Sequence, residues 1–365
     1  MLVFPASICR ELPSSVKIQP TLSRGKLRLP HRLVTRLVYA RLHDFIVSRR
    51  LENLADQIDI VHTWPLGSVQ TLRTAARLGI PSVLERCNAH TRFAYETVNK
   101  ECERLGVTLP KNHEHSYNAS ILEREEEEYR LAYRLLCPSE FVVKTFLDQG
   151  IEKNKLVRHI YGFDEKTFFP STTLRSDRGV TMLSVGVCAV RKGLHFALEA
   201  WLRSPAHETG EFLIAGEFVP MYAEKLAPML AHPSVKVLGH RTDVPDLMRK
   251  SDILVLPSIE EGFGLVCTEA MASGCVPLVS DACTDLCRHR ENSLVHRVGD
   301  VDNLTEHITL VHRDRSILRE LRAAGLRLAP QITWTAAGLA LLNAYRQILG
   351  QGSPHLKDLQ LSINH

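Results

Sequence analysis

The chain has 365 residues, a formal net charge of +4, and 44% apolar and 24% charged side chains, which excludes disordered and fibrous classes and suits a globular protein of two domains. No apolar run reaches the roughly 20 residues that cross a bilayer, and the first eight residues lack the flanks of a secretory signal. Nine scattered cysteines fit a reduced compartment better than a disulfide framework and predict a cytosolic location.

Charge is uneven along the chain. Arg10, Lys17, Arg24, Lys26, Arg28, Arg32, Arg36, Arg41, Arg49 and Arg50 crowd the front, opposed only by Glu11 and Asp44. The basic helix predicted over 31–50 suits an anionic partner such as a membrane surface, although a solvated helix face accounts for it equally well. Aromatic residues are not interleaved there as nucleic-acid binding requires, so no nucleic-acid partner is expected.

From 59 onward strands and helices alternate, which predicts parallel sheets with helices on both faces. The first half reads as strands at 59–64, 81–85, 134–139 and 156–161. Helices are predicted at 67–78, 91–105, 119–133 and 140–148. The second half restarts at 181–186, with further strands at 211–215, 234–238, 252–256 and 276–280. A last amphipathic helix covers 334–349. The domains are accordingly 1–165 and 180–330, joined by a linker at 166–179. A crossover helix at 331–350 and a tail at 351–365 complete the chain.

The most informative segment runs from the strand 252–256 to Gly274. Pro257 stops the strand, Glu261-Gly262-Phe263-Gly264 forms a loop, and a helix opens near Leu265 with Glu269 inside it and Gly274 at its end. A helix start at the carboxyl end of a parallel strand offers free N–H groups and about half a positive charge to an anion. Carboxylates on either side suit sugar or ribose hydroxyls. A second strand end carries Gly186 and then Arg191-Lys192-Gly193, a phosphate grip or else a surface basic pair. In the first half, His62 and His90 each come after a strand, where a lone histidine is more often structural than functional.

Three lookalikes are set aside. His113 and His115 are two apart, not the four that a metalloprotease helix needs. Asp300-Val301-Asp302 reads as a helix cap. Cys283 and Cys287 have no partner pair for zinc. No metal site and no cofactor are expected.

Together these residues resemble glycosyltransferase family 4, the retaining nucleotide-sugar transferases of GT-B architecture. The resemblance runs from about Asp59 to Leu349. Its most specific part is Glu261 through Glu269, similar to the family's Glu-x7-Glu pattern, with support from Arg191-Lys192-Gly193, Cys137-Pro138-Ser139-Glu140, Tyr161-Gly162-Phe163-Asp164 and the closing Thr333-Trp334 helix. It implies two Rossmann-like α/β domains facing across a cleft. It also implies metal-independent transfer of a sugar, with retention, to a glycan or lipid-linked acceptor. Glu261 and the backbone of Gly262, Phe263, Gly264 and Leu265 would hold the donor sugar, and Glu269 the ribose. Lys192 and Arg191 would neutralise the leaving diphosphate, His90 would face the donor, and Gly186 and Gly216 would line the nucleotide site. Two departures stand out. Val187 replaces a customary Arg, and the family's opening strand and Gly-rich loop are not seen, so the first domain reads as trimmed at its front. A nucleotide-sugar-binding protein impaired in transfer and a nucleotide-sugar epimerase remain open alternatives.

Overall fold

The computed structural model describes residues 1–6, 15–24, 27–28, 35–171 and 179–350. The start of the predicted basic helix (31–34), the middle of the predicted linker (172–178) and the predicted tail (351–365) lie outside the described residues.

Two lobes form, each built on a parallel sheet. In the first, β1 (Leu2–Val3) pairs in parallel with β2 (Lys17–Ile18), and β3 (Ser23–Arg24) with β4 (Leu27–Arg28) in antiparallel. Helix α1 (Arg36–Asn53) comes next and buries Asp44, Ser48 and Leu51. The lobe's main sheet has β5 (Val61–Thr63), β6 (Ser82–Glu85), β7 (Arg134–Cys137) and β8 (Leu156–Arg158), in that order and all parallel. Between them lie α2 (Val69–Arg77), α3 (Thr91–Leu105), α4 (Ala119–Leu131) and α5 (Glu140–Asp148). Local chemistry sets several of these ends. The Ser139 hydroxyl accepts from Val142 N to cap α5, and Gly106, at φ +67°, closes α3 in the left-handed conformation that glycine adopts without strain.

The second lobe has β9 (Thr181–Val185), α6 (Leu194–Arg203), β10 (Glu211–Ala215), α7 (Pro220–Leu230), β11 (Val235–Gly239), α8 (Val244–Lys250), β12 (Ile253–Leu256), α9 (Leu265–Ala272), β13 (Val276–Ser280) and β14 (Leu294–His296). Its six strands run parallel in the order β11-β10-β9-β12-β13-β14. Strand β12 is Ile-Leu-Val-Leu and wholly buried, the composition of a strand covered on both faces. Helices α10 (Val301–Arg313) and α11 (Arg315–Leu328) complete the lobe, and the Asp300 side chain caps α10 by accepting from Asn303 N, as expected of a helix cap.

The chain crosses between lobes twice at one place. Phe163 N donates to Ile332 O, and Trp334 N donates to Phe163 O, each at 3.2 Å. Gly162 is required there, because a Cβ would fall 2.3 Å from the Thr333 carbonyl carbon. After this crossing α12 (Trp334–Gly350) returns to the first lobe, where Ile348, Leu341 and Tyr345 cover Val83 and Leu136. Burying Ile348 alone contributes about 1.5–3 kcal/mol. The stretch predicted as linker is not all free: Phe168 packs against the second-lobe core and Arg249 lies over the Phe169 ring at 4.4 Å.

Candidate active site

Strand order in the second lobe reverses between β9 and β12. The crevice outside the carboxyl ends of such neighbouring strands is where open α/β sheets take ligands. The loops leaving β9 and β12 touch there. Ile259 N donates to Arg191 O at 2.9 Å, and a Cβ on Gly193 would fall 1.9 Å from Pro257 O.

The touching loops bring Arg191, Lys192 and Glu261 together. Lys192 Nζ forms a close ion pair with Glu261 Oε2. Arg191 Nη1 lies 3.4 Å from Glu261 Oε1 and 3.5 Å from Glu260 Oε2, and donates to Glu260 O at 3.1 Å. Ser258 Oγ donates to Glu261 Oε2 at 3.2 Å. Burial of Glu261 would raise its pKa, but the Lys192 and Arg191 charges overcome that and hold it at about 2. Burial likewise opposes the Arg191 charge, while Glu261 and Glu260 reinforce it. This is a fixed, partly desolvated cationic pair beside a helix start. It suits a phosphate whose negative charge grows during a reaction.

Helix α9 opens at Leu265, which is exposed, behind Gly264 at φ +74° with no side-chain cap, so its first N–H groups stay available to a ligand. Glu269 lies one turn on. Burial pushes its carboxyl up to about 7, and no side-chain partner reaches it among the described residues. Gly186 and Gly216 sit side by side at the ends of β9 and β10, where a Cβ on Gly216 would fall 1.8 Å from Gly186 O. Phe263 is buried, its ring 5.4 Å from that of Tyr161.

His90 is placed differently from the rest. Its Nδ1 accepts from Arg92 N at 3.3 Å to cap α3, and its ring lies 5.0 Å from those of Tyr129 and Phe146. Burial, then the Arg86 and Arg92 charges, push it down to about 4. The loop before His90 meets the other lobe: a Cβ on Gly262 would fall 1.6 Å from Cys87 O.

Sequence reasoning passed over three residues of this crevice. Ser139 Oγ donates to Gly262 O at 2.6 Å, tying the first lobe to the 261–264 loop. His115 Nε2 sits 3.3 Å from Glu260 Oε2, and the Glu260 side chain is wholly buried with Oε1 unbonded. The Cys137–Glu140 turn was a visible marker for Ser139. Nothing in the chain pairs His115 with a residue 145 positions away.

Residues 179–314, most of the second lobe, match the family described as "Glycosyl transferases group 1". Curated relatives include an N-acetylgalactosaminyltransferase of Campylobacter jejuni acting on N,N'-diacetylbacillosaminyl-diphospho-undecaprenol, 24% identical over 52% of this chain and 54% of its own length. Another is a GDP-mannose:cellobiosyl-diphosphopolyprenol alpha-mannosyltransferase of Komagataeibacter xylinus, 26% identical over 57% of this chain and 55% of its own. The chain thus spans about half the length of the curated relatives it matches. Among solved structures, sucrose-phosphate synthase from Thermosynechococcus elongatus superposes with a TM-score of 0.69 at 18% identity, covering 94% of this chain and 86% of that one. Anabaena HepE in complex with UDP gives 0.64 at 15%, covering 91% and 86%. The two-lobed GT-B architecture expected from the sequence is the one found.

Proposed function

We propose that the protein is a glycosyltransferase that moves a sugar from a nucleotide-diphosphate donor to a glycan or lipid-linked acceptor. The observation that carries this reading is the Lys192–Arg191–Glu261 cluster at the strand-order reversal, set beside the open start of α9. Cleaving the sugar–phosphate bond leaves a diphosphate anion and a cationic sugar. Lys192, Arg191 and the α9 N–H groups stabilise the first, a contribution of about 3–4 kcal/mol per well-placed donor. Glu261 and the 262–265 backbone orient the sugar, and Glu269 takes the ribose hydroxyls. His90 faces the donor from the first lobe. The reaction retains anomeric configuration and draws on no metal or further cofactor.

Relatives that act on polyprenyl-diphosphate sugars support a lipid-linked acceptor. Helix α1 supports a cytoplasmic protein resting on a membrane face. Val38, Leu42 and Phe45 are exposed along one side of it beside Arg41. No helix among the described residues is long and apolar enough to cross a membrane.

The test is incubation with UDP-, GDP- and ADP-sugars and polyprenyl-diphosphate sugars, scoring nucleotide release and the anomeric configuration of the product with and without chelator. Release that disappears in Lys192→Ala and Glu261→Ala is expected. No nucleotide binding at all overturns the reading. Val187, exposed on the β9 loop, favours a second reading in which the donor is bound but not transferred. That reading requires nucleotide binding without turnover.

A further inference from the structure

We infer that Trp64 is a stacking platform for a pyranose ring on the first-lobe side of the crevice. The inference rests on the transferase reading for its biological sense but on separate observations for its site.

Trp64 leaves the carboxyl end of β5, and this end of the first sheet is the one that meets the second lobe through Ser139 and Cys87. The indole is 59% exposed, although a ring of this size gains much from burial. It is not exposed because the loop is loose. Leu66 is held at φ +71°, a region that non-glycine residues rarely adopt. Wholly buried Glu128 accepts from Leu66 N at 2.8 Å and from Ser68 N at 3.0 Å. Arg124 Nε donates to Leu66 O at 2.5 Å, and its guanidinium also binds the buried Asp44. Ser68 Oγ donates to Trp64 O at 3.0 Å. Buried Glu128 and part-buried Arg124, itself held by buried Asp44, therefore over-determine a strained turn whose outward product is one exposed indole. A rigid aromatic loses little freedom on binding, which is the property of a recognition anchor.

The surroundings hold the indole in place and leave its face open. The His62 ring lies parallel to the indole within 7° at 6.4 Å. His62 Nε2 is 3.1 Å from the buried Glu85 carboxylate, which also accepts from Tyr161 OH at 2.6 Å. His62 Nδ1 and Tyr345 OH are in close contact. His62, Glu85, Tyr161 and Tyr345 are engaged with one another, so the indole face is the group left open to a ligand. A pyranose offers such a ring its C–H face while its rim of hydroxyls stays in water.

The test uses saturation-transfer NMR with methyl pyranosides of glucose, galactose, mannose and N-acetylglucosamine, and 1-octanol as a sugar-free apolar control. At least one pyranoside is expected to show transfer to its C–H face. Its affinity should fall about tenfold in Trp64→Ala and be largely kept in Trp64→Phe, with unfolding temperature unchanged in both. Binding that is equal in Trp64→Ala, binding of octanol alone, or binding of no pyranoside overturns the inference. UDP and GDP titrations of wild type and Lys192→Ala report separately on the donor reading. Loss of that reading leaves a Trp64-dependent pyranoside signal intact.

Discussion

The hydroxyl of Ser139 and the carbonyl of Gly262 meet at 2.6 Å, one in each lobe. The same glycine leaves no room for a side chain, since a Cβ there would fall 1.6 Å from Cys87 O. Gly262→Ala must therefore push the lobes apart at the donor loop. Nucleotide-release activity should fall at least about tenfold, a loss of about 1.4 kcal/mol or more in transition-state binding. Ser139→Ala removes a helix cap and the cross-lobe bond together, and urea titration should show it less stable by about 1–2 kcal/mol. Unchanged release in Gly262→Ala would mean that this contact does not form in the protein in solution.

Lys192 and Arg191 share the Glu261 carboxylate but not to the same degree. Lys192→Ala should lower turnover about 10²–10³-fold. Glu261→Gln removes the negative charge that faces both cations, and should weaken donor-sugar binding more than binding of the free nucleoside diphosphate. Comparing calorimetric affinities for UDP-sugar and UDP checks the split. Equal losses for the two ligands would show that Glu261 does not contact the sugar.

Glu269 carries a pH dependence of its own. Its folded pKa of about 7 lies above the ordinary 4.5, so the folded protein holds the proton more tightly than the unfolded chain does. The penalty for ionising it is absent below about 4.5, grows through the interval, and is complete above about 7. Without ligand, Glu269→Gln should be more stable than the parent by about 1–2 kcal/mol at pH 8 and nearly equal to it at pH 5. With nucleotide present the order should reverse at pH 8, because the variant loses the carboxylate proposed to take the ribose diol. Denaturant titrations at the two pH values decide this.

Acid should act through histidines as well. Burial, with nearby cationic groups, pushes His90, His296 and His307 down to about 4. Because 4 is below the ordinary 6.5, these rings stabilise the fold fully above about 6.5, and that contribution is lost as pH falls through about 4. Both ring nitrogens of His296 are buried without a hydrogen-bond partner among the described residues. The unfolding temperature should therefore drop between pH 6.5 and 4.5, and His296→Leu should flatten the drop. A parallel pH profile in that variant would remove His296 from the account.

Much of the second lobe was readable because each of its signals is local. Strand β10 and strand β13 fall on their predicted boundaries, as do α3 and α5 in the first lobe. Apolar runs and capping serines or glycines mark such elements within a few residues. Strand β14 went unnoticed, since three residues at a sheet edge carry little pattern. The Arg191, Lys192 and Glu261 cluster was anticipated because each residue sits on a strand-end loop, and parallel topology then brings the loops together. The His115–Glu260 pair and the Glu128 brace beneath Leu66 depend on contacts across tens of residues, which no spacing encodes. His90 follows a strand, as read, and the local role that its spacing did not announce is the cap that its Nδ1 gives α3.

The return of α12 across the lobe junction has a consequence for biosynthesis. Val83 and Leu136 leave the ribosome early but remain without cover until residues 334–350 emerge. Completion of the first lobe therefore waits on a segment made after the whole of the second. A nonsense change within that helix would damage the first lobe, although the whole of the second lies between them along the chain.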